Sequence, residues 1–208
     1  MKLDDLPLPA TYWSRPEKEM RGDADPNDLY KAVGVSLSAW EALEDCFALM
    51  FDMFMGAGSS SPAALRVYGS IISAGGRRDA LNEAANIFFP MWLLVKDKES
   101  DYEKYKKLVN HFGNASGRRN DIGHGIVINV RVVGKEQVGY FLIPPKYNSN
   151  RNKGTYGDED TDKWAYFTGD YRYTAANIAD FTMKFSILEA CVNEYVKAIK
   201  WKYFHRSS

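Results

Sequence analysis

From Thr174 towards the end of the chain, Ile178, Phe181, Phe185, Leu188, Val192, Tyr195 and Ile199 recur at spacings of three and four without a fault. That spacing draws one apolar stripe down a long helix, and the stripe must be buried against another apolar surface. A matching stripe lies near the other end of the chain. Val33, Leu37, Trp40, Phe47, Phe51 and Phe54 predict a helix over about Asp28 to Met55, with Lys31, Ser38, Glu41, Asp45 and Asp52 on its polar face.

Three further helices fit between them. Ser61-Pro62 supplies a capping hydroxyl and a proline for the first turn of a second helix, which carries Leu65, Tyr68, Ile71 and Ile72. Gly75-Gly76 is expected to break or kink it. A third helix carries Leu81, Ala84, Ile87, Phe88, Met91 and Trp92, and Pro90 should kink or end it. Ser100-Asp101-Tyr102-Glu103 has capping-box spacing and opens a fourth helix through Tyr105, Leu108 and Phe112 to about Gly123. Helices with such stripes bury them against one another, so the expected fold is mainly α, an antiparallel helical bundle.

The periodicity changes after Gly125. Ile126 to Val133 and Val138 to Ile143 read as two strands joined at Gly134-Lys135, a hairpin that Pro144-Pro145 ends. Residues 146–162 read as a polar loop, with a basic, Asn-rich stretch from Lys146 to Lys153 expected to be solvated. Trp164 to Tyr173 would add a third strand. Trp164, Tyr166, Tyr171 and Tyr173 could stack on bases, but packing is the expected role. The domain reading is an extended N-terminal arm, 1–27, then one helical domain, 28–208, with a β insertion at about 126–173 before the last helix. Tyr12 and Trp13 would anchor the arm.

Lys and Arg total 27, as do Asp and Glu, so a broadly basic nucleic-acid-binding surface is not indicated. Cys46 and Cys191 fall in apolar helical patterns and read as small buried hydrophobes. The sequence has no Cys/His cluster with zinc spacing, so neither metal nor cofactor is expected. The first ten residues lack a signal-peptide pattern, and no apolar run is long enough to span a membrane, which makes the cytoplasm the expected location.

The chemistry concentrates in Arg118-Arg119-Asn120-Asp121-Ile122-Gly123-His124-Gly125. Of the three histidines, His111 falls near an apolar face and His205 lies in the tail. Arg119 continues the stripe of Tyr105, Leu108, Phe112 and Ala115, so it points towards the bundle and needs a partner. Glu44, which interrupts the stripe of the first helix between Trp40 and Phe47, is the expected one. An imidazole near a helix C-terminus is favoured in its protonated form, which suits proton transfer near neutral pH. Five helical residues turn through roughly 140°, so a break at Gly123 is needed to bring His124 round towards Arg119. Asn120 could bond the imidazole or a phosphate, with Asp121 in support. Arg77, Arg78 and Arg118 are candidate phosphate contacts, with solvated helix-end charge as the commoner role.

Arg119, a polar residue at Asn120, a short spacer and His124 resemble the signature of the HEPN superfamily (higher eukaryotes and prokaryotes nucleotide-binding). The fit covers about residues 28–125 and 174–204. The resemblance implies an up-down helical bundle with the motif before the final helix, usually as a homodimer with two motifs facing one cleft. It also implies metal-independent endoribonuclease activity, in which the RNA 2′-hydroxyl attacks its own phosphate. His124 would move the proton, Arg119 would steady the phosphate charge, and Asn120 would orient the imidazole or the scissile group. It further suggests a toxin or defence role, with an antitoxin or other protein partner. The alternative is a noncatalytic dimeric module of the same fold that binds RNA, a nucleotide or a protein.

Overall fold

A computed structural model describes residues 9–56, 61–92, 97–131, 137–145, 147 and 169–204. Among these, five helices and one hairpin follow in order: α1 (Pro26–Phe54), α2 (Pro62–Ser70), α3 (Ala74–Met91), α4 (Lys98–Gly123), β1 (Ile126–Arg131), β2 (Gln137–Ile143) and α5 (Ala175–Phe204). The mainly α class and the hairpin before the last helix are as expected. No described helix is long and apolar enough to cross a membrane.

The chain divides into two compact units. One comprises Met1–Tyr12, Glu41–Ser116 and Phe185–Ser208; the other comprises Trp13–Trp40 and Gly117–Lys184. α1, α4 and α5 therefore each have residues in both.

The first unit is a helical bundle with an aromatic core. Phe47 of α1 lies 4.3 Å from Phe112 of α4 between ring centroids, and Phe54 meets Phe88, Phe89 and Tyr105 at 5.2 to 5.7 Å. Phe88 also meets Tyr203 of α5 at 5.2 Å. Such offset and edge-on ring pairs each add about 1 kcal/mol beyond the area they bury. The α5 stripe is buried along its whole length, from Ile178 in the second unit to Ile199 in the first. Cys46 and Cys191 are buried and unbridged, and burial pushes the Cys46 thiol up to about 11.

Several boundaries and faces differ from the sequence expectation. The break between α2 and α3 falls at Ile71–Ser73, not at Gly75-Gly76, which form the first turn of α3. Ser73 caps α3 by accepting from the Gly76 amide at 3.0 Å. A Cβ on Gly76 would sit 2.8 Å from the Ile71 side chain, so that glycine serves close packing rather than a break. Ile72, expected on the α2 stripe, lies in this turn and is 99% exposed. In α3, Leu81, Ala85, Phe88 and Phe89 are buried while Ile87 and Met91 face outward. Two apolar stripes share that helix, and the rings of Phe88 and Phe89 at Phe54 select between them. α4 begins at Lys98, ahead of the Ser100 capping box. The Asp101 carboxylate instead accepts from Lys202 at 2.6 Å and Tyr203 at 3.1 Å. Asp52, expected on a polar face, is buried, and its Oδ1 accepts the Ser61 amide at 2.8 Å.

The second unit is built around the antiparallel hairpin, which runs from Ile126 opposite Ile143 to Arg131 opposite Gln137, with a register shift at Val130/Arg131. Val130, Phe141 and Ile143 form its buried face. Among the described residues, the other edge of β2 is met by two single bridges. Asp23 pairs with Tyr140 (2.8 and 3.0 Å), and Tyr173 exchanges two bonds with Leu142 at 2.9 Å. Trp164 and Tyr166 lie outside the described residues, as does nearly all of the 146–162 loop. The segment ahead of α1 is packed here: Trp13 is buried, and Gly22 crosses Gly139 so closely that a Cβ on either would lie 2.5 to 2.9 Å from backbone atoms. Gly139 takes φ +117°, which only glycine adopts readily.

Thr174 caps α5 as expected. Its hydroxyl accepts the Asn177 amide at 3.3 Å, while the Asn177 side chain accepts the Thr174 amide at 3.0 Å. Asp23 accepts the Ala175 amide at 2.8 Å, placing a carboxylate at the positive end of the helix.

Candidate functional site

α4 ends in the second unit, and its last turn carries the Arg118 to His124 run. Arg119 and Asn120 are half-buried and His124 is exposed. The helix continues through Gly123, and the His124 amide still donates to the Asn120 carbonyl at 3.2 Å. Gly123 does not take the left-handed conformation of a helix-ending glycine; among the described glycines only Gly56 and Gly139 have positive φ. The helix nevertheless ends at Gly123, as expected, without a left-handed glycine, and His124 lies in the turn that follows. An ideal helix carried on to His124 would set its Cα–Cβ direction about 140° from that of Arg119, and His124 lies one residue past the helix end.

The indispensable glycine is Gly125. A Cβ there would lie 2.6 Å from Leu142 Cγ and 3.0 Å from the Asp121 carbonyl oxygen. A Cβ on Gly123 would meet only Leu37, at an ordinary 3.5 Å. β2 thus crosses directly beside the residue after His124.

Asp121 is the centre of the polar structure here. Only 1% of it is exposed. Arg15 grips it with both arms of its guanidinium, Nε to Oδ2 at 3.0 Å and Nη2 to Oδ1 at 3.1 Å. Tyr173 donates its hydroxyl to Oδ2 at 3.0 Å, and Arg118 approaches the same oxygen at 3.3 Å. Tyr171 donates to the Asp121 main-chain oxygen at 2.7 Å. Arg15 also stands over the Tyr171 ring and 3.4 Å from Asp170. Burial opposes the Arg15 charge, but the hydrogen bonds and charge of Asp121 outweigh it and hold the guanidinium above its usual range. Burial, reinforced by the Asp121 charge, raises the Tyr173 hydroxyl.

The sequence placed Asp121 in a supporting role but carried no sign of its main partner. Arg15 lies 106 residues away in a proline-flanked segment, and neither spacing nor pattern links the two. Of the candidate phosphate contacts, Arg118 is engaged with Asp121. Arg77 binds Glu44 at 2.5 Å and the Ile71 carbonyl at 2.9 Å, and stands over the Tyr68 ring. Arg78 is more exposed, 3.8 Å from Asp79. Glu44 is buried as its place in the stripe implied, with Arg77 on its carboxylate. Its expected pairing with Arg119 would join residues of different units and stays an expectation. Arg119 Nη1 donates to Asn120 Oδ1 at 3.3 Å. Among the described residues no three His, Cys, Asp or Glu side chains gather as a metal site requires.

No protein-family model, curated protein or solved structure matches the chain.

Proposed function

We propose that this chain is a metal-independent endoribonuclease of HEPN type, acting as a homodimer. The observation that carries the reading is an exposed imidazole, His124, one helical turn beyond the half-buried Arg119, on a turn pinned through Asp121. In this reading His124 transfers the proton of the RNA 2′-hydroxyl. The 2′-oxygen then bonds to phosphorus as the bond to the 5′-oxygen breaks, and the 5′-oxygen leaves protonated. Arg119 steadies the phosphate oxygens as charge gathers on them, and Asn120, bonded to Arg119, holds the guanidinium in place. Because Arg119 and His124 diverge round the helix, a second copy facing the first would complete the site. A toxin or defence role, with an antitoxin or other protein partner, follows from the resemblance, and action in the cytoplasm is the expectation from the sequence.

One observation favours a second reading, a noncatalytic dimeric module that binds RNA, a nucleotide or a protein. The engagement of Arg118 with Asp121 also suits a helix end built only for structure. Cleavage assays of single-stranded RNA in EDTA separate the two readings, using the wild type, Arg119→Ala and His124→Ala. The nuclease reading expects cleavage by the wild type alone. Absence of cleavage by all three, or equal cleavage by all three, leaves the binding module.

A further inference from the structure

We infer that Arg15 and Asp121 form a clamp that positions the end of α4 for the reaction assigned to Arg119 and His124, and that Asp121 also restrains Arg118 from substrate phosphates. The inference rests on the proposed nuclease reading. Asp121 sits between Asn120 and the Gly123-His124 turn, and both its side chain and its backbone are held. Arg15 and Tyr173 fix the carboxylate, and Tyr171 fixes the main-chain oxygen. On the far side of His124, Gly125 is hemmed in by Leu142. The exposed imidazole is thus carried between two immobilised neighbours. Reacting groups work only when their supports hold them to within a fraction of an ångström.

The charges add a second consequence. One buried carboxylate restrains two guanidiniums, Arg15 at 3.0 Å and Arg118 at 3.3 Å, next to the proposed phosphate site. Neutralising it loosens the turn and releases cationic groups towards RNA. Turnover and binding should therefore move in opposite directions, which a purely architectural role does not produce. Arg15 and Asp121 are positioning residues; neither touches the reacting atoms.

The test uses full-length wild type, Asp121→Asn and Arg15→Gln. The second variant trims a side chain that is partly at the surface, so it keeps the test open if the first fails to fold. Three quantities are read: kcat and KM on single-stranded RNA in EDTA, Kd for an uncleavable 2′-deoxy oligonucleotide across a salt series, and hydrogen exchange at the amides of residues 121–125. The clamp predicts that kcat falls about 10-fold or more in both variants. It predicts that Asp121→Asn binds the oligonucleotide about 3- to 10-fold more tightly, with a salt slope steeper by about one phosphate contact. It also predicts exchange at 121–125 faster by about 10-fold or more in both variants. Unchanged exchange there overturns the clamp whether or not the wild type cleaves RNA. Weaker oligonucleotide binding by Asp121→Asn, or a kcat at the wild-type value in folded variants, also overturns it. If the wild type cleaves no RNA, the nuclease reading falls and the assigned positioning role falls with it; faster exchange would then leave Arg15–Asp121 as a brace of the α4 end alone.

Discussion

At the scale of single residues, two glycines two positions apart separate what the sequence suggests from what the packing demands. Gly123 has the position of a helix-ending glycine, yet it is helical and has room for a methyl group. Gly125, one residue past the histidine, has a Leu142 carbon 2.6 Å from where a Cβ would stand. Gly125→Ala is expected to cost about 1–3 kcal/mol through overpacking. Gly123→Ala is expected to be neutral or to gain up to about 1 kcal/mol from helix propensity. Urea unfolding of the two variants measures the contrast. His111 offers a titration test. It is buried, and burial lowers its pKa below the usual 6.5. Its neutral form is favoured in the folded state, so the unfolded chain takes up the proton first as pH falls. The stability present above about pH 6.5 should be lost as pH drops through the folded pKa. Thermal unfolding between pH 7.5 and 5.5 should show this loss in the wild type and a flatter profile in His111→Gln.

At the scale of elements, the sequence was most legible where one unbroken stripe met one clear cap. α5 has both, and the Thr174–Asn177 exchange of bonds starts it where the residue pattern put it. Thr174→Ala should cost about 1 kcal/mol in chemical denaturation, because one helix-start amide loses its acceptor. Legibility failed where two solutions shared one pattern. α3 carries two apolar stripes, and only the tertiary contact of Phe88 and Phe89 with Phe54 chooses between them. The Gly75-Gly76 pair looks like a break, but Ser73 caps the helix just before it, and that cap decides. α4 starts two residues ahead of the Ser100 capping box, and Asp101, which lies between the two box positions, bonds to Lys202 and Tyr203 of α5. Of the expected third strand only residues 169–173 are described, and there Tyr173 makes one bridge to Leu142, with Asp23 bridging Tyr140 beside it.

At the scale of the whole chain, the candidate site depends on contacts that no local pattern encodes. The Arg119–His124 run was visible because it is contiguous. Its anchor was not, because Arg15, Tyr171 and Tyr173 come from segments about 50 to 106 residues away. Breaking a buried ion pair from one side strands the other charge, so Asp121→Ala should destabilise the fold by about 3 kcal/mol. Arg15→Ala should cost less, since Tyr173 and Arg118 still hold the stranded carboxylate, whereas Asp121→Ala leaves Arg15, Arg118 and Tyr173 all without that acceptor. Equal, negligible losses in thermal melts would mean that the network does not support the fold. In the proposed reading, Arg119 and His124 cleave RNA by attack of its own 2′-hydroxyl. The most direct measurement is the product analysis of a single-stranded RNA incubated with the wild type in EDTA, beside the same strand made 2′-deoxy throughout. The expected result is 2′,3′-cyclic phosphate and 5′-hydroxyl ends from the RNA and no cleavage of the deoxy strand. An uncut RNA, or a deoxy strand cut as readily as the RNA, would contradict it.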